Sequence, residues 1–354
     1  MMPSTAALIE ERRVLLPPVM PEYLEIPDGQ RLCLTGEIFA TRWQVDVVRA
    51  ADAPGDPQDW LAGLAERCQA VLETIDAQMS PWRETSELVR FNRAADGTRI
   101  PLPEPMRTVL AHALEVARLS GGAFDPTLHD AVALWGFGPE MVDEGLPASD
   151  TLAALGRARR SWRDLAIENG CITAQPGLTL DLCAIAKGYA VDAVMEVVQA
   201  MPHAKAALVE IGGELKGWGL RPDAMPWWVE IEGAQQGAQD SAMAIPTIAA
   251  LYGWAMATSG DYRRQFSHDG SDYSHAIDPH SLAPVRTAIA SASVFDPDCW
   301  RADALATAMM VMGKDAALAF ADAHAITCLL QVREEGGIGT YLSPALQAWC
   351  DDDD

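Results

Sequence analysis

The stretch LDLCAIAKGYAVDAVMEVVQAM, residues 180–201, decides how the chain is to be read. It opens as a short strand and takes helical spacing of its apolar positions after Lys187, which predicts a helix beginning at Lys187 and Gly188. Such a helix start presents free amide N–H groups and a partial positive charge, and Lys187 adds a full one, a combination suited to a diphosphate. The two-glycine spacing of a Walker or dinucleotide-binding loop is missing, so neither of those folds is indicated.

The same alternation of periods runs outward in both directions. Downstream, ALVEIGGELKGWG (207–219) and WWVEIE (227–232) read as strands joined by turns that glycine permits. Upstream, Trp43, Val45 and Val47 alternate with Gln44 and Asp46, the period of a half-buried strand. Residues 56–80 form an amphipathic helix with Asp56 as N-cap, Pro57 at the first helical position, and Leu61, Leu64, Cys68, Val71, Leu72 and Ile75 on one face. A second helix is expected over 105–119, ended by Gly121 and Gly122. With no internal repeat and no low-complexity linker, the expected architecture is a single large mixed α/β (α+β) unit of one or two lobes. Residues 1–34, with Pro17, Pro18, Pro21 and Pro27, are expected as an extended arm. The folded domain is expected over 35–340, and 341–354, ending in DDDD, as an acidic solvated tail.

Composition excludes some classes of function. The 26 Lys and Arg against 50 Asp and Glu leave a formal charge of −24. Such a surface repels phosphate backbones and anionic lipid, so neither nucleic acid nor a membrane surface is an expected partner. No run of 18 apolar residues occurs, so no membrane insertion is expected. The seven cysteines are scattered without metal-ligand spacing, and no basic region precedes an apolar core at the N-terminus. Reduced thiols in a cytoplasmic protein are the expected state.

Four stretches could carry chemistry. In GGAFDPTLHDAVALWGFGP (121–139), two glycines allow close backbone approach and Asp125 precedes a proline; read alone it is a turn before a helix. The second stretch is 181–192, around Lys187. In RADALATAMMVMGKD (301–315), Asp303 and Thr307 lie at i and i+4, on one helix face, and could give two oxygen ligands to a hard cation such as Mg²⁺. The structural alternative is an Asp favoured by the helix dipole and a Thr bonded back to a carbonyl. The fourth runs from Thr258, Ser259, Gly260 and Asp261 through Arg263 and Arg264 to SDYSHAIDPHSLAPV (271–285). There His275 is either a general base or phosphate ligand, or a cross-strand polar residue of a hairpin.

Taken in order, the segments TGEIFATRWQV, MSPWRETSELVRFNR, GGAFDPTLHDAVALWGFGP, LDLCAIAKGYAVD, ALVEIGGELKGWG, ATSGDYRRQF…YSHAIDP and ADALATAMMVMG resemble the ApbE-like family of FAD:protein FMN transferases, from about residue 35 to about 335. The resemblance implies a T-fold-like architecture and a reaction in which FAD is split at its diphosphate. FMN passes to a Thr or Ser hydroxyl of a target flavoprotein, AMP leaves, and Mg²⁺ is the metal. It further implies that Asp303 and Thr307 hold the Mg²⁺ with a main-chain carbonyl near Ala184. Phe39, Trp82, Glu87, Asn92, Ala123, Phe124, Asp125, Asp181, Lys187, Ser259 and Asp261 would line the flavin nucleotide. His275 would assist transfer, with Asp278 supporting its loop.

The chain also departs from the family pattern. Phe39 and Ala40 replace the usual Met-Gly, Cys183 stands where Gly or Ser is more typical, and His280, Ser281, Leu282 and Ala283 break the family's DPRTGYP. No D-x-x-T-S-G-A-T acceptor motif is evident, so the acceptor is expected to be a separate protein. The competing readings are an FAD diphosphatase giving FMN and AMP, and a non-catalytic FAD-binding module.

Overall fold

Eight strands build one sheet whose spatial order is the order of the sequence: β1 Gly29–Ile38, β2 Thr41–Ala50, β3 Ala204–Ile211, β4 Glu214–Trp218, β5 Ala255–Gly260, β6 Ile289–Asp296, β7 Thr327–Glu334 and β8 Gly337–Leu342. Every neighbouring pair in it is antiparallel. The computed structural model describes residues 13–18, 25–139, 145–233, 246–261 and 265–350. Because the sheet draws strands from Gly29 to Leu342, the chain is one α+β unit, and the long connections between strands carry its helices.

Burial on both faces explains why the central strands read as apolar runs rather than clean alternations. Ala255, Ala257, Ala292, Val294, Cys328 and Leu330 join the main core, while Met256, Phe295 and Leu329 join a second core on the opposite face. Four helices cover the first face: α1 Pro57–Met79, α2 Glu104–Leu119, α3 Cys183–Ala200 and α4 Cys299–Met312. For α1 the reading from sequence holds: Asp56 caps it by accepting the Gln58 N–H at 2.7 Å, and Leu64, Cys68, Leu72, Ile75 and Met79 are buried. The α3 and α4 helices carry buried apolar residues round most of their circumference and pack against each other. Gly188 is required where they meet, because a Cβ there would lie 2.4 Å from the Cys299 carbonyl oxygen. That close approach brings the first turns of α3 beside Asp303 of α4.

The other face is covered by a smaller sheet of Arg13–Leu15, Thr247–Leu251 and Trp227–Ile231, with Leu346 and Trp349 packed under it. Both chain ends therefore differ from expectation. The regular fold starts at Gly29 rather than near Thr35, and Arg13–Leu15 pairs in parallel with Thr247–Ala249, burying Leu15 completely. Prolines end that strand without preventing the residues before them from pairing. At the other end, Ser343 caps a short helix, Pro344–Gln347, and the apolar Leu346 and Trp349 anchor it. Of the expected acidic tail, only residues 351–354 lie outside the described residues.

The 180–201 stretch is also corrected. No strand forms at its start, and the helix begins at Cys183, one turn before Lys187. The backbone of Leu180 is taken up by Asn92, which accepts its N–H at 2.8 Å and donates to its carbonyl at 2.9 Å, and Asp181 accepts the Cys183 N–H at 2.8 Å. Groups that a strand would commit to a ladder are used by side chains instead.

A third, satellite core lies beside the main one. Leu128, Ala131, Trp135 and Phe137, from the short helix His129–Leu134 and its flanks, pack on Tyr273, Ile277 and Leu282. Among the described residues, no helix is long and apolar enough to cross a membrane.

Candidate active site

A cavity of about 620 Å³ opens where the ends of these elements meet. Its lining comes from the β1–β2 turn, the Pro81–Trp82 corner after α1, the 123–129 segment, the first turns of α3, the β3–β4 turn, the end of β5, the His275 loop and one face of α4. The β1–β2 turn is unusual, since Phe39 and Ala40 both take positive φ, 52° and 56°, a conformation strained for residues bearing a Cβ. Trp82 stands at the cavity, 44% exposed.

The α3–α4 junction holds the densest charge. The half-buried Lys187 ammonium pairs with Glu214, which is buried and comes from the first position of β4. Burial works against the lysine's charge, but the Glu214 and Asp303 carboxylates outweigh it and raise its pKa above the ordinary value. Burial pushes the Asp303 carboxyl upward, opposed by Lys187 and by the Gly188 amide, which donates to Asp303 Oδ2 at 3.0 Å. In a regular helix that amide would serve the Ala184 carbonyl, and Ala184 is where α3 leaves helical geometry, with φ −89° and ψ 16°. Thr307 lies one turn on from Asp303 and shares a 3.1 Å hydroxyl contact with Ser259 of β5. Ala184, Asp303 and Thr307 line the same cavity, and a carboxylate, a hydroxyl and a main-chain carbonyl are hard oxygen donors of the kind that suits Mg²⁺ better than a softer metal.

The opposite wall rests on the satellite core. The edge of the His275 ring meets Phe137, with centroids 6.3 Å apart. Asp278 braces the turn that follows, accepting from the His280 N–H at 2.9 Å and from the Ser281 hydroxyl at 2.8 Å. Burial would raise the Asp278 carboxyl, but these hydrogen bonds and the His280 ring hold it below its ordinary pKa. Trp135 Nε1 donates to the Leu282 carbonyl at 2.7 Å, fixing the far end of the turn. Asp125 accepts from the Thr127 N–H at 2.9 Å and forms an ion pair with Arg159. Arg159 also donates to the Pro279 carbonyl at 2.8 Å, so one guanidinium joins the cavity wall to the His275 loop.

The structure brings together Phe39, Trp82, Ala123, Phe124, Asp125, Asp181, Ala184, Lys187, Ser259, His275, Asp303 and Thr307 on one cavity. Four expected residues do not line it. Glu87 pairs with Arg90 in its own helical turn, and Asn92 clamps Leu180. Asp261 is turned to Arg333, which donates to it at 2.8 Å through Nη2, and Asp278 is turned into its own loop. Arg263 and Arg264 fall outside the described residues. Sequence reasoning missed Glu214, His129 and Arg159. Nothing in the local sequence around these three residues marks them; Glu214 and His129 line the cavity, and Arg159 braces it through Asp125 and the Pro279 carbonyl.

Comparison with known proteins follows the same outline. Residues 39–330 match the model of the ApbE family. The chain is 37% identical over 320 residues to a Vibrio cholerae protein named FAD:protein FMN transferase, covering 90% of this chain and 92% of that one. A Haemophilus influenzae protein of the same name is 34% identical over 291 residues, covering 80% and 82%. Among solved structures, the apo flavinyl transferase ApbE of Pseudomonas stutzeri superposes with a TM-score of 0.82 at 34% identity, covering 92% of this chain and 98% of its own. A match over most of the chain in sequence and in structure has one reading: this chain belongs to the ApbE family.

Proposed function

We propose that the chain is a flavin transferase that binds FAD and Mg²⁺ in this cavity and passes FMN to a Thr or Ser hydroxyl of a separate flavoprotein, releasing AMP. The observation that carries the reading is the position of His275 on the same cavity as Lys187 and the oxygen donors Asp303, Thr307 and Ala184. Phosphoryl transfer depends on placing the reacting oxygens and neutralising charge, and these residues serve both ends.

Asp303, Thr307 and the Ala184 carbonyl would hold the metal. When bound, Mg²⁺ neutralises charge on the diphosphate oxygens. Lys187 adds positive charge beside them, and Glu214 holds its ammonium in place. Trp82, Phe39 and Phe124 supply apolar and aromatic surface for the ring systems. The acceptor hydroxyl oxygen forms a bond to the FMN phosphorus as the bond from that phosphorus to the bridging oxygen breaks. AMP departs with the bridging oxygen and its electron pair. His275 takes the proton of the hydroxyl, and the Asp278 turn keeps its loop in shape. The seven free thiols support a reducing compartment, so we place the protein and its acceptor in the cytoplasm.

The test is to incubate the purified chain with FAD, Mg²⁺ and a peptide carrying an acceptor Thr, following AMP and the mass of the peptide. The expected result is an FMN-sized mass gain matched by AMP and abolished by chelation of the metal. AMP without peptide modification would make the chain a diphosphatase, and FAD bound without AMP would reduce it to a binding module.

A further inference from the structure

The cavity contains a second imidazole. His129, the first residue of the short helix that follows the 123–128 segment, lines it together with Leu128 and Val132. The other ionisable groups of the described lining are engaged. Asp125 is held by Thr127 and Arg159, and Asp181 by the Cys183 amide. Lys187 and Glu214 hold each other, Asp303 accepts from Gly188, and His275 packs against Phe137. Among the described residues, the His129 side chain has no hydrogen bond, ion pair or ring contact. A half-buried imidazole without a protein partner on a cavity wall is available to hydrogen-bond a ligand.

Charge identifies which part of the ligand. The described lining carries four carboxylates, on Asp125, Asp181, Glu214 and Asp303, against the single lysine Lys187. That wall, on a chain of net charge −24, has to accept an anionic dinucleotide. Its donors to phosphate oxygen are therefore scarce, and Lys187 is already matched by Glu214. The aromatic and aliphatic lining already suits the flavin ring, which leaves an imidazole N–H most useful on the phosphate.

We propose that His129 is a substrate-contacting residue that donates a hydrogen bond to the phosphate-bearing part of bound FAD. The assignment rests on FAD being the ligand of this cavity. His129→Ala removes no hydrogen bond, ion pair or ring contact within the protein, so its melting temperature should stay close to wild type. Its Kd for FAD, read by flavin fluorescence titration, should rise about tenfold, the loss of one such bond. His129→Gln, which keeps an N–H donor, should stay within about threefold of wild type. Riboflavin, which has the same ring and no phosphate, should bind wild type and His129→Ala equally. An unchanged FAD Kd in His129→Ala, an equal loss for riboflavin, or Gln failing as badly as Ala would each overturn the role. A wild-type protein that binds no FAD would instead defeat the reading of the cavity itself.

Discussion

The two walls of the cavity are built to different standards. The α3–α4 wall is cut from the main core: Asp303 is 3% exposed, its neighbours on the helix are buried, and Gly188 lets two helix backbones meet. The His275 wall stands on a satellite cluster, two-residue strands and a turn held by its own hydrogen bonds and by Trp135 and Arg159. Ligation of a metal requires fixed oxygens, and a dense core supplies them. Access of an acceptor protein requires a wall near the surface. The difference implies that substitutions in the first wall cost metal-dependent chemistry and stability together, whereas those that only loosen the His275 turn of the second should cost transfer alone.

The largest expected effect tests the first half of that statement. Asp303→Ala removes the carboxylate of the oxygen set, and Mg²⁺-dependent AMP release should fall by at least about a hundredfold, measured across a magnesium titration. Activity that survives with an unchanged magnesium dependence would take α4 out of the site. Gly188→Ala comes next. A methyl group would sit 2.4 Å from the Cys299 carbonyl and 2.8 Å from the Asp303 Cβ, backbone and near-backbone atoms that cannot swing aside. Overpacking of this kind should cost about 3 kcal/mol in denaturant unfolding and should weaken metal dependence with it. Full stability in that variant would mean that the helices are less tightly apposed than the geometry requires.

Arg159→Lys tests the second wall. Lysine keeps the charge beside Asp125, but one ammonium cannot reproduce a guanidinium that reaches both Asp125 and the Pro279 carbonyl. The FAD Kd should stay within about twofold while transfer slows on the order of tenfold, because only the position of the His275 loop is loosened. A parallel loss of FAD affinity would show that the two walls are not separable. Arg159→Ala is the poorer variant, since it would strand the Asp125 carboxylate, whose side chain is 2% exposed.

These same contrasts explain what could be read from the sequence. The α1 helix was legible because its signals are local: an Asp-Pro start and apolar residues at helical spacing. The pairing of β2 with β3 was not, since Thr41–Ala50 and Ala204–Ile211 are separated by a long insertion and nothing in either strand names its partner. Lys187, Asp303 and Thr307 were found because they sit in compact motifs. Arg159 was missed because its value lies in a carbonyl 120 residues away, and Glu214 because its partner Lys187 is 27 residues upstream. The misplaced helix start at Lys187 has the same origin, for the Asn92 clamp on Leu180 lies 88 residues back.

The smallest effect concerns the β1–β2 turn, where local sequence and backbone disagree. At Ala40 the chain adopts φ 56°, where a Cβ crowds the following carbonyl and glycine does not. Ala40→Gly should therefore stabilise the protein, by about 1 kcal/mol less the extra entropy that glycine gives the unfolded chain. The turn belongs to neither wall, joining β1 to β2 beside the Pro81–Trp82 corner. If strain there only reflects tolerated drift, stability should rise and the FAD Kd should stay put. If the strained turn shapes the pocket for the flavin ring, the same substitution should weaken FAD and riboflavin alike, which separates it from His129, where only the phosphate-bearing ligand should respond.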